Sequence, residues 1–305
     1  MATIPAPTVI RAGTPGKSNP FTILVVANPA LEAPWNSNTF VADPIATAAQ
    51  QVNFDNCVRY IERSLFTGLP SQSELILGDP AISPHIRLLS LFATGLPVDD
   101  AHAFAAQDGV SNLLVARRNP IRDFLISQNI IADVVYAISA SASHQRASAW
   151  FTTDDDGGPG VAFTLDGATL SHRHFYLTPG TVAMHHTATS LTAPHEFQHA
   201  VSSYTNGKLV DLYVDSPPDL NNKNGPPVQP KFCTVNATGF LSDLTRGPLG
   251  YPPTWRSFHC ELHDPSNPAI MDNYWLAPAG VPEVCQNDRV TRTFVRDRLL
   301  AKIAR

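Results

Sequence analysis

The stretch TAPHEFQHAVSSYTNGK, residues 192–208, contains two histidines and a glutamate in the spacing HExxH. A random chain of this composition would contain that pattern roughly 0.008 times. Residues four apart share one face of a helix, so His195 and His199 can both reach one metal ion. Glu196, beside the first histidine, is placed to act on a water at that metal. We therefore predict a metal-binding helix here.

The flanking residues predict where this helix begins and ends. Thr192 is a suitable N-cap, and Pro194 is tolerated in the first turn, where its missing N–H costs nothing. Asn206-Gly207 is a typical C-cap. Apolar residues at helical spacing predict the face that packs on a core: Phe197, Ala200, Val201 and Tyr204.

Zinc is the metal that this pattern favours, because two neutral imidazoles leave it strongly Lewis acidic. Zinc lowers the pKa of a bound water to about 7. Glu196 is then expected to act as general base toward that water, and as general acid toward the leaving amine.

A second segment, HDPSNPAIMDNYW at residues 263–275, places Met271 in a predicted tight turn. It resembles the Met-turn of metzincin metallopeptidases, which forms a hydrophobic floor under the zinc histidines. Tyr274, three residues later, is a candidate hydrogen-bond donor to the oxyanion, because a tyrosine near the Met-turn has that role in some metzincins.

Together these motifs are similar to those of zincin metallopeptidases, and most similar to the IgA-peptidase-like secreted ones. In that group the helix also begins HEF-x-H and follows a Gly-rich stretch, here DDDGGPG at 154–160. An edge-strand-like stretch at 160–167 adds to the likeness, which covers about residues 130–290. The resemblance implies a zincin-like α/β (α+β) fold, a twisted sheet with packed helices. It also implies a zinc-dependent endopeptidase, a protein or peptide substrate, and a secreted protein.

The third zinc ligand departs from the metzincin pattern, whose glycine and third ligand would fall on Ser202 and Thr205. Asp211 is our first candidate, and Asp215 is a further one. A cluster in SFHCELHDP supplies the alternatives of equal weight, His259, Glu261 and His263. If that cluster is extended, its three side chains point to one face.

Other polar features carry weaker expectations. His185-His186 precede the helix and are candidates for a supporting role around the metal. The stretches DDDGG at 154–158 and DLNNKNG at 219–225 resemble calcium loops in composition. Neither has EF-hand ligand spacing, so Ca²⁺ is an open second cofactor.

Composition excludes several function classes. The 305 residues are 43% hydrophobic and 15% charged, with a net charge of −5, which is typical of a globular protein without a nucleic-acid footprint. No stretch reaches the ~18–20 apolar residues of a membrane span. The first twenty residues lack the apolar region of a signal peptide.

Hydrophobic periodicity predicts the remaining elements. Buried strands are predicted in 21–31, 111–118 and 132–139, and short strands in 146–180. Helices are predicted over about 44–66, 83–95, 121–128 and the C-terminal residues around Val295, Leu299 and Ile303. We expect an extended arm over 1–20 and one catalytic domain over 21–305, with an upper part to about 207 and an irregular lower part from 208.

The four cysteines, Cys57, Cys233, Cys260 and Cys285, contain no CxxC pair. They allow two disulfides or four buried thiols. Cys260 and Cys285 flank the Met271 segment, so we expect that pair first.

The motifs leave three functions open. The first is the endopeptidase. The second is an inactive zincin-like domain that binds a peptide, a glycan or a partner, and it is favoured by the missing ligand at position 205. The third is a zinc hydrolase acting on a non-peptide substrate.

Overall fold

The structure is a computed structural model. It describes residues 4–14, 20–67, 75–109, 112–152, 163–165, 168–170, 179–188, 191–202, 208–209, 257–258, 270–271 and 289–304. These residues form a mixed α/β fold with two mixed sheets and few helices, compatible with the α+β class.

The strands, in chain order, are β1 Thr8–Arg11, β2 Phe21–Ala27, β3 Ala30–Glu32, β4 Phe40–Ala42, β5 Ile86–Leu91, β6 Ala103–Gln107, β7 Leu114–Ala116, β8 Val134–Ser139, β9 Ser148–Trp150, β10 Phe163–Leu165, β11 Ala168–Leu170, β12 Gly180–His185, β13 Lys208–Leu209 and β14 Ser257–Phe258. The α-helices are α1 Gln51–Glu62, α2 Arg118–Ser127, α3 Thr192–Val201 and α4 Arg289–Ile303. Short 3-10 turns cover Pro44–Ala46, Ala48–Gln50, Ile76–Gly78, Ser83–His85 and Asp100–His102, and a π-turn covers Arg63–Thr67.

The main sheet has the order β1-β5-β2-β8-β12-β9. Its four central strands are parallel, and the edge strands β1 and β9 run antiparallel to their neighbours. A second sheet has the order β4-β3-β6-β7, while β10-β11 and β13-β14 form two-stranded pairs.

Both faces of the main sheet are covered, so its central strands are apolar throughout. Alternate residues of β2 show this: Ile23 and Val25 join one core cluster, and Leu24 joins the other. The first face packs against α1, α3 and α4, and the second packs against α2. The metal-binding helix predicted from the sequence, α3, therefore lies on the first face.

Several sequence predictions are confirmed. Strands β2, β7 and β8 lie in the three predicted apolar runs. Helix α2 covers most of 121–128, and α4 carries Val295, Leu299 and Ile303 into the core. The helix predicted over 44–66 is split, because α1 is preceded by two 3-10 turns and continued by the π-turn.

The helix predicted over 83–95 is wrong. Its residues form a 3-10 turn followed by strand β5, which lies between β1 and β2. A continuous apolar run such as IRLLSL suits a buried helix or a buried strand equally, and burial on both faces of the sheet selects the strand.

A strand lies within 160–167 as expected, but it is not at the edge of the main sheet. Strand β10 pairs with β11, whereas β9 forms that edge of the main sheet. In the sequence, Asp166-Gly167 separates the two strands, and an Asp-Gly dipeptide favours pairing of the strands beside it.

The N-terminal segment expected as an arm contributes a strand, because β1 pairs with β5. The prediction of one domain over 21–305 stays a prediction. Among the described residues, no helix combines the length and apolarity that crossing a bilayer requires.

Cys57 is a free thiol buried in the main core. The arrangement with two disulfides is therefore wrong, because a buried position inside α1 gave Cys57 no partner. Cys233, Cys260 and Cys285 lie outside the described residues, and the Cys260–Cys285 bond stays a prediction.

Candidate metal centre

Helix α3 lies directly on strand β12, and one glycine makes this approach possible. A Cβ atom built on Gly180 would lie 2.1 Å from the carbonyl oxygen of Ala200 and 2.6 Å from its carbonyl carbon. Real Cβ atoms do not approach backbone so closely, so position 180 requires glycine. The contact fixes the height of α3 above the sheet.

The C-terminus of α3 is held by distant parts of the chain. The backbone N–H of Thr152 donates to the carbonyls of Ala200 (3.2 Å) and Ser202 (3.0 Å). Arg298 Nε in α4 donates to the Val201 carbonyl (3.0 Å), and Ser202 Oγ donates to the His199 carbonyl (2.7 Å). These bonds satisfy the terminal carbonyls that an α-helix leaves without intrahelical partners.

The predicted ends of the helix are therefore partly wrong. Thr192, predicted as the N-cap, is instead the first helical residue; the N-cap position is Leu191, and no side chain caps it. The helix ends at Val201 rather than at Asn206-Gly207, with Ser202 in extended backbone. Bonds from Thr152 and Arg298 set this end, and local sequence does not encode them.

The three motif residues are buried together: His195 is 3% exposed, Glu196 5% and His199 8%. One ligand atom from each lies within 4.8 Å of the others. The Nε2 atoms of His195 and His199 are 3.2 Å apart, and the rings are nearly perpendicular at 81°.

This separation fits a pair of tetrahedral zinc ligands. Two nitrogens each 2.0–2.1 Å from one zinc are about 3.3 Å apart at the tetrahedral angle. The same 3.2 Å also suits an Nε2–H···Nε2 hydrogen bond between two neutral imidazoles. The chemistry of the donor set, two converging imidazoles beside a carboxylate, thus fits zinc, and zinc titration separates the two arrangements.

The far side of the His195 ring is fixed by the Met271 turn. His195 Nδ1 lies 2.6 Å from the carbonyl oxygen of Ile270, to which it can only donate. The neutral ring then carries its lone pair on Nε2, the atom facing His199. A metal-binding histidine usually has such a backbone partner, which fixes its tautomer and orientation.

Met271 itself is 1% exposed and lies in a turn with Ile270. The structure therefore brings the predicted turn against the first histidine of the motif, although 75 residues separate them. That Met271 lies in a turn is confirmed; its likeness to a metzincin Met-turn stays a prediction.

Tyr136 supports the first turn of α3 from the sheet. Its hydroxyl donates to the carbonyl of Ala193 (2.8 Å), and the side chain is fully buried. Burial, and then the nearby Glu196 carboxylate, raise the pKa of Tyr136 well above its usual value. Tyr136 thus stays a neutral hydrogen-bond donor close to the expected general base.

His185 and His186 lie at the end of β12, with ring centroids 4.6 Å apart. His185 Nδ1 lies 2.7 Å from Thr187 Oγ1. Burial and the neighbouring His186 lower the pKa of His185, and burial lowers the pKa of His186. Among the described residues, neither joins the group that could hold a metal.

The other predicted site residues lie outside the described residues. They are Asp211, Asp215, His259, Glu261, His263 and Tyr274. The two stretches that resemble calcium loops, 154–158 and 219–225, also lie outside them. The third zinc ligand and Ca²⁺ stay predictions.

Sequence reasoning missed strand β12 and the residues that position α3. Gly180 at the start of the apolar run GTVAMH was a usable signal, because glycine in a strand often marks a close backbone approach. Tyr136, Arg298 and the Ile270 carbonyl gave no such signal, because their partners are distant in sequence.

Comparison of the chain with protein-family models, curated proteins and solved structures gave no significant match. The resemblance to zincins therefore rests on the sequence motifs alone.

Proposed function

We propose that the protein is a zinc-dependent endopeptidase. The observation that carries the proposal is the convergence of His195 Nε2 and His199 Nε2 at 3.2 Å, with Glu196 beside them and His195 Nδ1 turned toward Ile270. His195 and His199 would hold the zinc, and Asp211 is the third ligand that we propose. Bound zinc would supply a Lewis acid that acidifies a water and polarises a carbonyl.

The protein's own groups then have defined tasks in hydrolysis. Glu196 accepts a proton from the attacking water, whose oxygen bonds to the carbonyl carbon of the scissile peptide. The C–N bond breaks, and Glu196 passes the proton to the leaving nitrogen. Tyr274 is the group that we propose donates a hydrogen bond to the oxyanion.

The test is Glu196→Gln, which keeps the size of the side chain but cannot accept a proton. Because Glu196 is not a ligand in the proposal, zinc content should be unchanged. Casein cleavage should fall by about 10²- to 10⁴-fold, the usual contribution of a positioned acid–base group. A variant that cleaves as fast as the parent would show that Glu196 is not the base.

A second function is an inactive zincin-like domain that binds its target without cleaving it. It is favoured by Thr205, a non-ligand at the usual third-ligand position. Zinc bound with no cleavage of any peptide library would select it. A zinc hydrolase of non-peptide substrates is the third, and it predicts activity on esters or amides with none on casein.

A further inference from the structure

A cavity of about 470 Å³ lies away from the histidines, on the opposite face of the main sheet. The register of β9 shows this, because residues paired across neighbouring strands lie on the same face of a sheet. Ala149 lies opposite Val182, which belongs to the core under α3, while Trp150 lies opposite Thr181. Trp150 instead packs against a small cluster on the second face, to which Leu31 and Ala183 belong.

Two tryptophans, Trp35 and Trp150, form walls of this cavity, which we call the tryptophan pocket. Its other lining residues are Asp100, Ala116, Arg117, Arg118, Asn119 and Pro120. Its volume lies in the range of small-molecule sites. The rings provide broad apolar faces, and Asp100, Arg118 and Asn119 provide hydrogen-bonding groups around them.

Trp35 is exposed on a loop that is firmly held. The side chain is 43% exposed, although burying an indole would be favourable. Its backbone N–H donates to the Gln107 carbonyl (2.8 Å), and the N–H of Ala33 donates to the Thr39 carbonyl (2.9 Å). The backbone that carries the Trp35 ring is therefore held in place.

Trp150 lies under a guanidinium group. The Arg118 guanidinium carbon lies 5.9 Å from the centroid of the Trp150 ring. This distance is within the range of cation–π contacts. The N–H donors of the Arg118 guanidinium therefore lie beside the Trp150 ring.

The charges around the tryptophan pocket are already balanced. Arg117, which also lines it, pairs with Glu32 Oε2 at 3.0 Å and with Asp100 Oδ1 at 2.5 Å. Its NH1 donates to the carbonyls of Asp100 and Ala103. Two arginines thus face two carboxylates, so the pocket does not select for an anion.

We propose that the tryptophan pocket binds a neutral saccharide. The C–H faces of a pyranose ring stack on indole faces, and its neighbouring hydroxyls can both donate and accept hydrogen bonds. Asp100, whose side chain is 70% exposed, accepts such bonds, Arg118 donates them, and the Asn119 amide does both. This site does not depend on the proposed zinc chemistry.

The experiment titrates the whole protein with neutral sugars: methyl glucoside, galactoside and mannoside, and oligomers of N-acetylglucosamine. Glucuronic acid serves as the matched anion. Binding is followed by calorimetry and by saturation-transfer NMR. At least one neutral sugar should bind, and glucuronic acid should bind no more tightly than that sugar.

Trp35→Ala should weaken that sugar at least tenfold, and Trp35→Phe should recover part of the loss because it restores an aromatic face. Val52→Ala removes an exposed side chain on α1 and is the matched control, with binding unchanged. Because Trp35 is exposed, circular dichroism should show both Trp35 variants folded. Three results would overturn the proposal: no neutral sugar bound, a preference for glucuronic acid, or full binding by Trp35→Ala.

Discussion

Strand β9 and Phe151, the residue that follows it, have different surroundings on the two faces of the main sheet. On one side, Phe151 meets the ring of His199, with centroids 6.3 Å apart, next to a buried group of ionisable side chains. On the other side, Trp150 and the exposed Trp35 enclose an open pocket with balanced charge. The first side has a group of side chains that could hold a metal ion, while the second has the aromatic walls of the tryptophan pocket.

The two candidate sites lie on opposite faces of one sheet and depend on different parts of it. The metal centre depends on close backbone packing, because α3 approaches β12 to within contact of Gly180. The tryptophan pocket depends on a loop and the start of α2. The two sites should therefore respond differently to the same changes.

The largest difference is expected from His199→Ala. Removing one of two converging imidazoles should weaken zinc affinity by at least about 100-fold, because the remaining ligands hold zinc poorly. Competition with a chromophoric chelator measures it. His102→Ala, at a histidine hydrogen-bonded to Asp99, is the control and should leave affinity unchanged. Equal affinities of both variants would remove His199 from the site.

Gly180→Ala should destabilise the α3 side of the sheet. The added methyl would meet the Ala200 carbonyl, so helix and strand must separate, at a cost of about 1–3 kcal/mol in the free energy of unfolding. Zinc affinity should fall as well. Urea unfolding measures the first effect, and chelator competition the second.

Gly109→Ala is the matched control for that experiment. Gly109 is exposed, and its nearest neighbour would be the Pro34 side chain at 4.0 Å. Its free energy of unfolding should stay within about 0.5 kcal/mol of the parent. If Gly180→Ala is equally neutral, the close contact with α3 is not a constraint.

A third prediction concerns the cysteines, beginning with Cys57, which is buried in the main core. Burial raises the pKa of Cys57 to about 12, so its thiol should not react in the native protein. With a Cys260–Cys285 bond formed, unfolding without reductant should release two thiols, Cys57 and Cys233. Such a bond closes a loop of about 25 residues and would contribute roughly 3 kcal/mol in the chain-entropy model. Four thiols, in protein from an oxidising compartment, would contradict the bond.

The smallest effect concerns pH. The folded pKa values of His185 and His186 lie below the ordinary 6.5, so the unfolded chain binds more protons than the folded one just below that value. Stability from this pair is present above about pH 6.5 and is lost as pH falls through the folded pKa values. Urea midpoints in EDTA at pH 7.5 and 5.5 measure the loss. The loss of stability should be smaller in His186→Gln than in the parent protein. An equal loss in both proteins would contradict its assignment to this histidine pair.

Sequence patterns captured the parts of the molecule that are encoded locally. The apolar run of β2, the helical spacing of Val295 and Leu299, and the HExxH spacing each predict their own structure. The run IRLLSL of β5 does not, because its burial on both faces depends on the strands beside it. The end of α3 was mispredicted for a related reason, since Arg298 closes it from nearly 100 residues away.

The candidate site likewise combines features that local sequence predicts with features that only the tertiary structure gives. Spacing alone places His195, Glu196 and His199 together, because a helix repeats every 3.6 residues. The contact of His195 with Ile270, and the support of Ala193 by Tyr136, come from tertiary structure. A single sequence carries no pattern that links such distant pairs.

An anomalous difference map measured on both sides of the zinc absorption edge tests whether His195 and His199 hold zinc. We expect one peak in zinc-loaded crystals, about 2.0–2.1 Å from both Nε2 atoms, with the Asp211 carboxylate as the third ligand. A peak on the two histidines with another residue third would revise only Asp211. No peak between the two rings, with the Nε2 atoms still hydrogen-bonded to each other at 3.2 Å, would contradict the claim.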